Sequence, residues 1–194
     1  MNLRRYCACA VAINLAIGVV ALGAVGGGSV PLPPPKGPVL SATAEISPVR
    51  IDIPAAKVAA SVVPVGILPA GDMEMPDFGS AGWYRLGPRP GERGPAVIAA
   101  HFDSLDGPDV FYGLNRLKAG DSIFVSDTLG RRVEFIVADS TTVAKDQLPI
   151  ERIWGPTDSA ALTLITCGGS FDRRTRHYKS NVVVFARLAA PSGV

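Results

Sequence analysis

The chain lacks the charge excess that is typical of proteins that bind nucleic acid. Its 19 Lys and Arg residues are nearly balanced by 17 Asp and Glu residues, which leaves a formal net charge of +2. With 47% hydrophobic and 19% charged residues, the composition is that of one ordinary globular domain with attachments. We therefore expect no nucleic-acid partner.

Charge is absent altogether from residues 7–25, CACAVAINLAIGVVALGAV. As a helix this stretch is about 28 Å long, close to the ~30 Å hydrocarbon core of a bilayer. Arg4 and Arg5 precede it, so we expect residues 1–25 to form a cytoplasmic stub and a single-pass membrane anchor, with the rest of the chain extracytoplasmic. The small residues near its end are also consistent with a cleaved signal peptide.

Residues 26–48 are rich in proline and glycine. The prolines lack the backbone N–H donor and the backbone freedom that a packed element needs. They predict a semi-extended tether of ~3 Å per residue. The domain that follows is expected at residues 49–190. At about 140 residues it can bury a sufficient core without disulfides or metal ions.

Helical periodicity is scarce in this domain. Short strand-like runs recur instead, separated by turns rich in Gly, Pro and Asp. We predict eight strands at 49–53, 59–67, 82–86, 96–101, 122–126, 132–143, 161–167 and 181–188, with helical turns only at 110–116 and 148–154. This pattern predicts a mostly β fold, a sandwich or a closed barrel.

Cysteine is scarce as well, and the domain has one, Cys167, because Cys7 and Cys9 fall in the uncharged N-terminal stretch. An unpaired thiol in an exported domain indicates an intermolecular bridge or a reactive group. Gly168 and Gly169 follow it, so we expect an accessible sulfur that a substrate backbone can approach closely. An inert buried thiol is the alternative.

A free thiol with a pKa near 8.5 is mostly protonated at neutral pH, so a nucleophilic role needs a base or a cation nearby. His101 ends a second apolar strand and is the candidate base, with Asp103 on the same side of the strand to orient it. The alternative for His101 is a lone surface histidine. His177 lies in a polar segment and is expected to be a solvated loop residue.

Acyl transfer also needs a donor for the oxygen that becomes negative in the tetrahedral intermediate. Arg173, Arg174 and Arg176 follow the cysteine closely, and an arginine is always charged. A solvated basic loop is the alternative explanation for at least two of them.

These residues resemble a known family. LTLITC at 162–167 is similar to the TLxTC signature of sortases, the membrane-tethered cysteine transpeptidases of bacterial surfaces, and AVIAAHFDS at 96–104 is similar to their histidine strand. The resemblance covers about residues 46–188. The sequence CGGSFD is most similar to that of the actinobacterial sortases of class F, and class E is the second most similar.

The resemblance implies an eight-stranded sortase β barrel behind an N-terminal transmembrane helix. It implies that Cys167 is the nucleophile, that His101 is the acid and base, and that an LPxTG-like sorting signal is cleaved between Thr and Gly. The acyl group would pass to an amine of a peptidoglycan precursor or a pilin. No organic cofactor is implied, and we see no dense acidic cluster that argues for the calcium bound by some sortases.

Two positions depart from the family pattern. Ala100 stands where glycine usually precedes the histidine, and Asn181 stands where many sortases have the catalytic arginine, at the start of the last strand. In sortases with the Cys-Gly-Gly-x-Phe-Asp pattern the arginine comes from the preceding loop. Arg173 is therefore the favoured candidate, followed by Arg176 and Arg174.

Two other functions stay open at this point. A membrane-anchored cysteine peptidase would hydrolyse the same thioester with water. A tethered, non-catalytic β domain that binds wall or protein ligands would leave Cys167 unreactive.

Overall fold

The computed structural model describes residues 45–190. The predicted anchor at 1–25, and the predicted linker at 26–48 except for its last residues, lie outside this range. Among the described residues, no helix is both long enough and apolar enough to span a membrane.

Most of the described chain forms β-strands. In chain order these are β1 (Arg50–Ile53), β2 (Val58–Val65), β3 (Ser80–Tyr84), β4 (Gly94–Ala100), β5 (Asp103–Ser104), β6 (Gly107–Pro108), β7 (Ser122–Ser126), β8 (Arg132–Ala144), β9 (Ala160–Asp172) and β10 (His177–Leu188). Each of the eight predicted strands matches a long strand. The prediction missed β5 and β6, a small separate hairpin whose two-residue strands are too short to show an alternating pattern.

Helical segments within residues 45–190 are short. They comprise the α-helix α1 (Ile150–Trp154) and three 3-10 turns at Pro54–Ala56, Leu114–Arg116 and Lys145–Gln147. The helix falls inside the helical turn predicted at 148–154, and one 3-10 turn falls inside 110–116. Pro149 precedes α1, and the Gly155 N–H closes its end on the Glu151 carbonyl at 2.8 Å.

The eight long strands close into a barrel in the order β1, β2, β3, β4, β9, β10, β8, β7, and β7 pairs back to β1. The pairs β2–β3 and β4–β9 are parallel, and the other pairs are antiparallel. Closure gives every barrel strand a partner on both sides, which removes exposed sheet edges. A mostly β, closed eight-stranded barrel is therefore confirmed.

Successive side chains of a strand point to opposite faces, so each barrel strand has an inner and an outer row. Leu164 of β9 and Val184 of β10 are fully buried in the inner core. Ile165 and Val183, one residue along, belong to a second buried cluster on the outer face, to which Ile153 of α1 contributes. The central strands are thus covered on both faces, as their nearly continuous apolar runs predict.

Candidate active site

Cys167 lies in the outer row of β9, two residues beyond Ile165, and its side chain is 0% exposed. Three side chains pack against it, and we call them the sulfur cover: Met75, Phe102 and Tyr178. The thiol therefore sits at the edge of the outer apolar cluster, under side chains that come from three separate segments.

The two glycines after the cysteine allow close pairing with β10 and do not open the sulfur to solvent. A Cβ on Gly168 would lie 2.6 Å from a Val182 methyl carbon, and one on Gly169 would lie 2.8 Å from the Ser180 hydroxyl. Gly169 has a φ of +72° and lies in a β-bulge, where two residues of β9 oppose one of β10. The expectation of an accessible sulfur is wrong, because Met75, Phe102 and Tyr178 cover the thiol.

His101 follows β4 directly and is 7% exposed, so it is not a surface histidine. Its Nε2 lies 3.0 Å from the Pro76 carbonyl oxygen. Because a carbonyl oxygen only accepts, Nε2 donates in this bond, and a neutral imidazole then has Nδ1 as its acceptor. The Phe78 ring lies against the imidazole with 4.2 Å between the centroids. These contacts hold the ring in one orientation.

The structure brings His101 and Cys167 to neighbouring positions on the outer face. β4 and β9 run side by side in parallel register, and the Thr166 hydroxyl donates a 2.8 Å hydrogen bond to the Ala100 carbonyl. His101 follows Ala100, and Cys167 follows Thr166. Adjacent strands lie ~4.8 Å apart, so His101 and Cys167 occupy neighbouring positions on the same face.

Asp103 accepts a hydrogen bond from Tyr178, at 2.5 Å between the hydroxyl oxygen and Oδ2. The Tyr178 ring also makes edge contacts with Phe102 and Phe171, with 5.2 Å and 5.1 Å between centroids. Asp103 thus links the segment after His101 to the β9–β10 hairpin. Its hydrogen bond also holds Tyr178, one of the three side chains of the sulfur cover.

The three candidate arginines lie in the turn that joins β9 to β10. Arg173 and Arg174 are exposed, and Arg176 is half-buried. Beyond Cys167, β9 continues for five residues to Asp172, about 17 Å at the usual rise of a strand. The structure therefore groups the arginines at the hairpin tip, away from the thiol and imidazole, and the catalytic role of Arg173 stays a prediction. His177 is exposed, as expected, but it is the first residue of β10 and not a loop residue.

Asp172 orders the turn that carries these arginines. Its carboxylate accepts hydrogen bonds from the backbone N–H groups of Arg174 at 2.8 Å and Thr175 at 3.3 Å. These bonds, with a smaller contribution from Lys179, hold the pKa of Asp172 below its ordinary value of 3.8. Because the folded pKa is the lower one, the stabilisation is present in full above the unfolded value and is lost as the pH falls through the folded value.

Replacing Asp172 with alanine is expected to loosen this turn and to leave the barrel intact. The amide hydrogens of Arg174 and Thr175 should exchange with solvent several-fold faster at pH 7, since both lose their acceptor. Hydrogen exchange followed by NMR measures the effect, with Asp146→Ala, at an exposed carboxylate away from this turn, as the control. Equal exchange at both amides in the variant and the wild type would contradict this role.

Asn181 is the residue of the site that sequence reasoning misses as a functional candidate. It lies on β10 opposite Cys167 and is 1% exposed. Neither Nδ2 nor Oδ1 has a hydrogen-bond partner among residues 45–190. The available signal was its position at the start of the last strand, where the resemblance leads one to expect arginine.

A cavity of about 690 Å³ lies elsewhere on the barrel, and its lining includes Glu92, Asp158 and Arg187. Neither Cys167 nor His101 lines it. Within the part of the chain that the structure describes, no three His, Cys, Asp or Glu residues are grouped so that they can hold a metal ion. The cysteine and histidine site is thus separate from this cavity.

Known structures share this fold. Sortase A of Listeria monocytogenes is 24% identical over 73% of this chain and 87% of that chain, with a TM-score of 0.56. Sortase C-1 of Actinomyces oris is 22% identical over 74% and 76%, with a TM-score of 0.55. The sortase D5 transpeptidase of Clostridium perfringens is 20% identical over 73% and 78%, with a TM-score of 0.54. At these identities the likeness shows the fold.

The family itself is given by sequence. The family model of the sortase domain matches residues 51–189, which is most of the chain. A comparison with curated proteins finds no match. The matched range contains all eight barrel strands apart from the first residue of β1, together with the cysteine and the histidine. The chain therefore belongs to the sortase family, whose members are cysteine transpeptidases.

Proposed function

We propose that this sortase is anchored in the cell membrane, cleaves an LPxTG-like sorting signal between Thr and Gly, and transfers the acyl group to a cell-wall or protein amine. The observation that carries the proposal is the placement of Cys167 and His101 at neighbouring positions on the outer face of the barrel. A thiol beside an oriented histidine is the pair that acyl transfer through a thioester requires.

The transfer takes two steps. The Cys167 sulfur gives its proton to His101 and attacks the Thr carbonyl carbon, and the carbonyl electron pair moves to the oxygen. The intermediate then collapses, the bond to Gly breaks, and His101 protonates the leaving amine. In the second step His101 takes a proton from the incoming amine, which attacks the thioester; the C–S bond breaks, and His101 returns the proton to the Cys167 sulfur.

We assign the arginine role of the family to Arg173, with Arg176 and Arg174 as its alternatives. At the hairpin tip the exposed Arg173 guanidinium is available to bind and position the sorting peptide. Stabilising the oxyanion as well would require the hairpin tip to move toward Cys167.

The CGGSFD pattern supports a class F-like sortase, with class E next. The uncharged stretch at 7–25 supports a single-pass anchor with an extracytoplasmic catalytic domain, held off the membrane by the proline-rich residues 26–48. A peptidoglycan precursor or a pilin lysine is the proposed amine.

A transfer assay on the full-length chain tests the function. A library of fluorescence-quenched LPxTG-type peptides is incubated with the protein, with and without an amine acceptor such as a short oligoglycine. We expect cleavage after Thr and, with the acceptor, a new amide product detected by mass spectrometry. Among Arg173→Ala, Arg174→Ala and Arg176→Ala, the first is expected to lose most activity.

Other outcomes distinguish the rival functions. Cleavage that gives only the free acid despite abundant acceptor would indicate a hydrolysing peptidase. Absence of cleavage, together with alkylation of Cys167 that does not depend on His101, would indicate a non-catalytic binding domain.

A further inference from the structure

The Asn181 side chain is buried in a way that does not favour folding. A carboxamide removed from water without new hydrogen bonds destabilises a protein, so most buried polar side chains have partners. Asn181 is 1% exposed, and both of its polar atoms lack a partner within residues 45–190. Violations of this kind are expected at functional sites.

Its position relative to the nucleophile is well defined. The β9–β10 pairing sets Asn181 opposite Cys167, and β4, which leads to His101, lies on the other side of β9. Directly opposed side chains of antiparallel strands share a face, with Cβ atoms ~5 Å apart. The sulfur therefore lies between a histidine on one neighbouring strand and an amide on the other.

We propose that Asn181 is a catalytic residue whose Nδ2–H donates a hydrogen bond to the substrate oxyanion. When the Cys167 sulfur bonds to the carbonyl carbon, the carbonyl electron pair moves to the oxygen, which becomes negative and accepts this bond. When the intermediate collapses, the pair returns to the C–O bond and the C–N bond to the leaving amine breaks. A donor fixed beside the developing charge in a site without bulk water lowers this barrier.

This assignment divides the work between two parts of the site. The exposed Arg173, whose backbone lies in the turn that follows β9, is suited to hold the peptide. The neutral Asn181 carboxamide, which costs less to bury than a charged group, serves the reacting oxygen. The inference rests on the proposed function, since it requires an acyl substrate on Cys167.

The test uses Asn181→Ala and Asn181→Asp in the full-length chain, with an LPxTG library peptide that the wild type cleaves. Aspartate keeps the shape of the side chain but replaces the donor with an oxygen that only accepts when ionised. In both variants we expect kcat for acyl-enzyme formation to fall about 10²- to 10³-fold, with KM changed less than about threefold. Ser180→Ala, at the adjacent β10 residue on the other face, is the matched control and should keep wild-type kcat.

Two further measurements separate this role from others. Alkylation of Cys167 by iodoacetamide forms no oxyanion, so its rate in Asn181→Ala should stay within about threefold of the wild type. Asn181→Leu removes the unpartnered amide and should lose activity with an unchanged or higher Tm.

The outcomes are distinct. Wild-type kcat in Asn181→Ala would overturn this inference alone. Alkylation that slows as much as kcat would overturn it in favour of an effect on the thiol. A lower Tm in Asn181→Leu would overturn it in favour of a structural role. A wild-type chain that forms no acyl-enzyme with any library peptide would overturn the proposed function, and this inference with it.

Discussion

Changing Cys167 to alanine is expected to reduce peptide cleavage and acyl transfer by at least about 10⁴-fold. Without the sulfur no thioester forms, and the remaining side chains only position the peptide for attack by water. Mass spectrometry of the intact chain should show the acyl adduct with the wild type and none with the variant. Cleavage rates come from the quenched library peptide.

The same change has a small structural cost that must be separated from the chemical one. Because Cys167 is fully buried under the sulfur cover, removing its sulfur leaves a small cavity and lowers the free energy of unfolding by about 1 kcal/mol. Cys167→Ser, which nearly keeps the volume, should be as inactive and is the matched control. Full cleavage in a folded Cys167→Ala chain would refute the cysteine mechanism.

Changing His101 to alanine is expected to lower kcat/KM by about 10²- to 10⁴-fold, because one side chain supplies the proton transfers of both steps. Unlike the Asn181 variants, His101→Ala should also slow alkylation of Cys167, since the thiol loses its base. Imidazole added to the buffer should restore part of the activity, because the removed ring leaves a space between Pro76 and Phe78.

The second histidine of the chain provides the control for this experiment. His177 is exposed at the start of β10, and His177→Ala should keep kcat/KM within about twofold of the wild type, as most surface changes do. Equal losses in the two variants, or undiminished activity in a folded His101→Ala, would refute the assignment of His101.

The strands and the Cys167–His101 pair were readable from the sequence because their signals are local. Apolar runs of strand length mark β4 and β9, and a parallel pairing of two buried strands brings residues at their ends together. The resemblance to sortases added the closed barrel. Two-residue strands such as β5 carry no such signal, and they were missed.

The burial of the sulfur was not readable, because it depends on contacts between distant segments. Met75 and Phe102 are far from Cys167 in the sequence, and Tyr178 reaches it only because β9 and β10 pair. That pairing extends to Asp172. Glycines after a thiol suggest openness when only neighbours in sequence are considered. In the folded chain their missing side chains make room for β10.

The role of Asn181 was hidden for a related reason. An asparagine in a sequence does not show whether its amide is solvated, bonded or isolated, and only the barrel reveals that both polar atoms are buried without a partner. The β9–β10 register then shows that Asn181 lies opposite the nucleophile.

The sulfur cover makes the reactivity of the chain depend on a minority conformation. A reagent or substrate can reach the fully buried sulfur only after at least one of the three covering side chains, Met75, Phe102 or Tyr178, has moved. If about 1% of molecules are open, the apparent rate constant is about 100-fold below the intrinsic one. A sorting peptide that binds the open form would raise that fraction. Substrate would then make Cys167 more reactive toward thiol-directed inhibitors until the acyl-enzyme forms and blocks the sulfur.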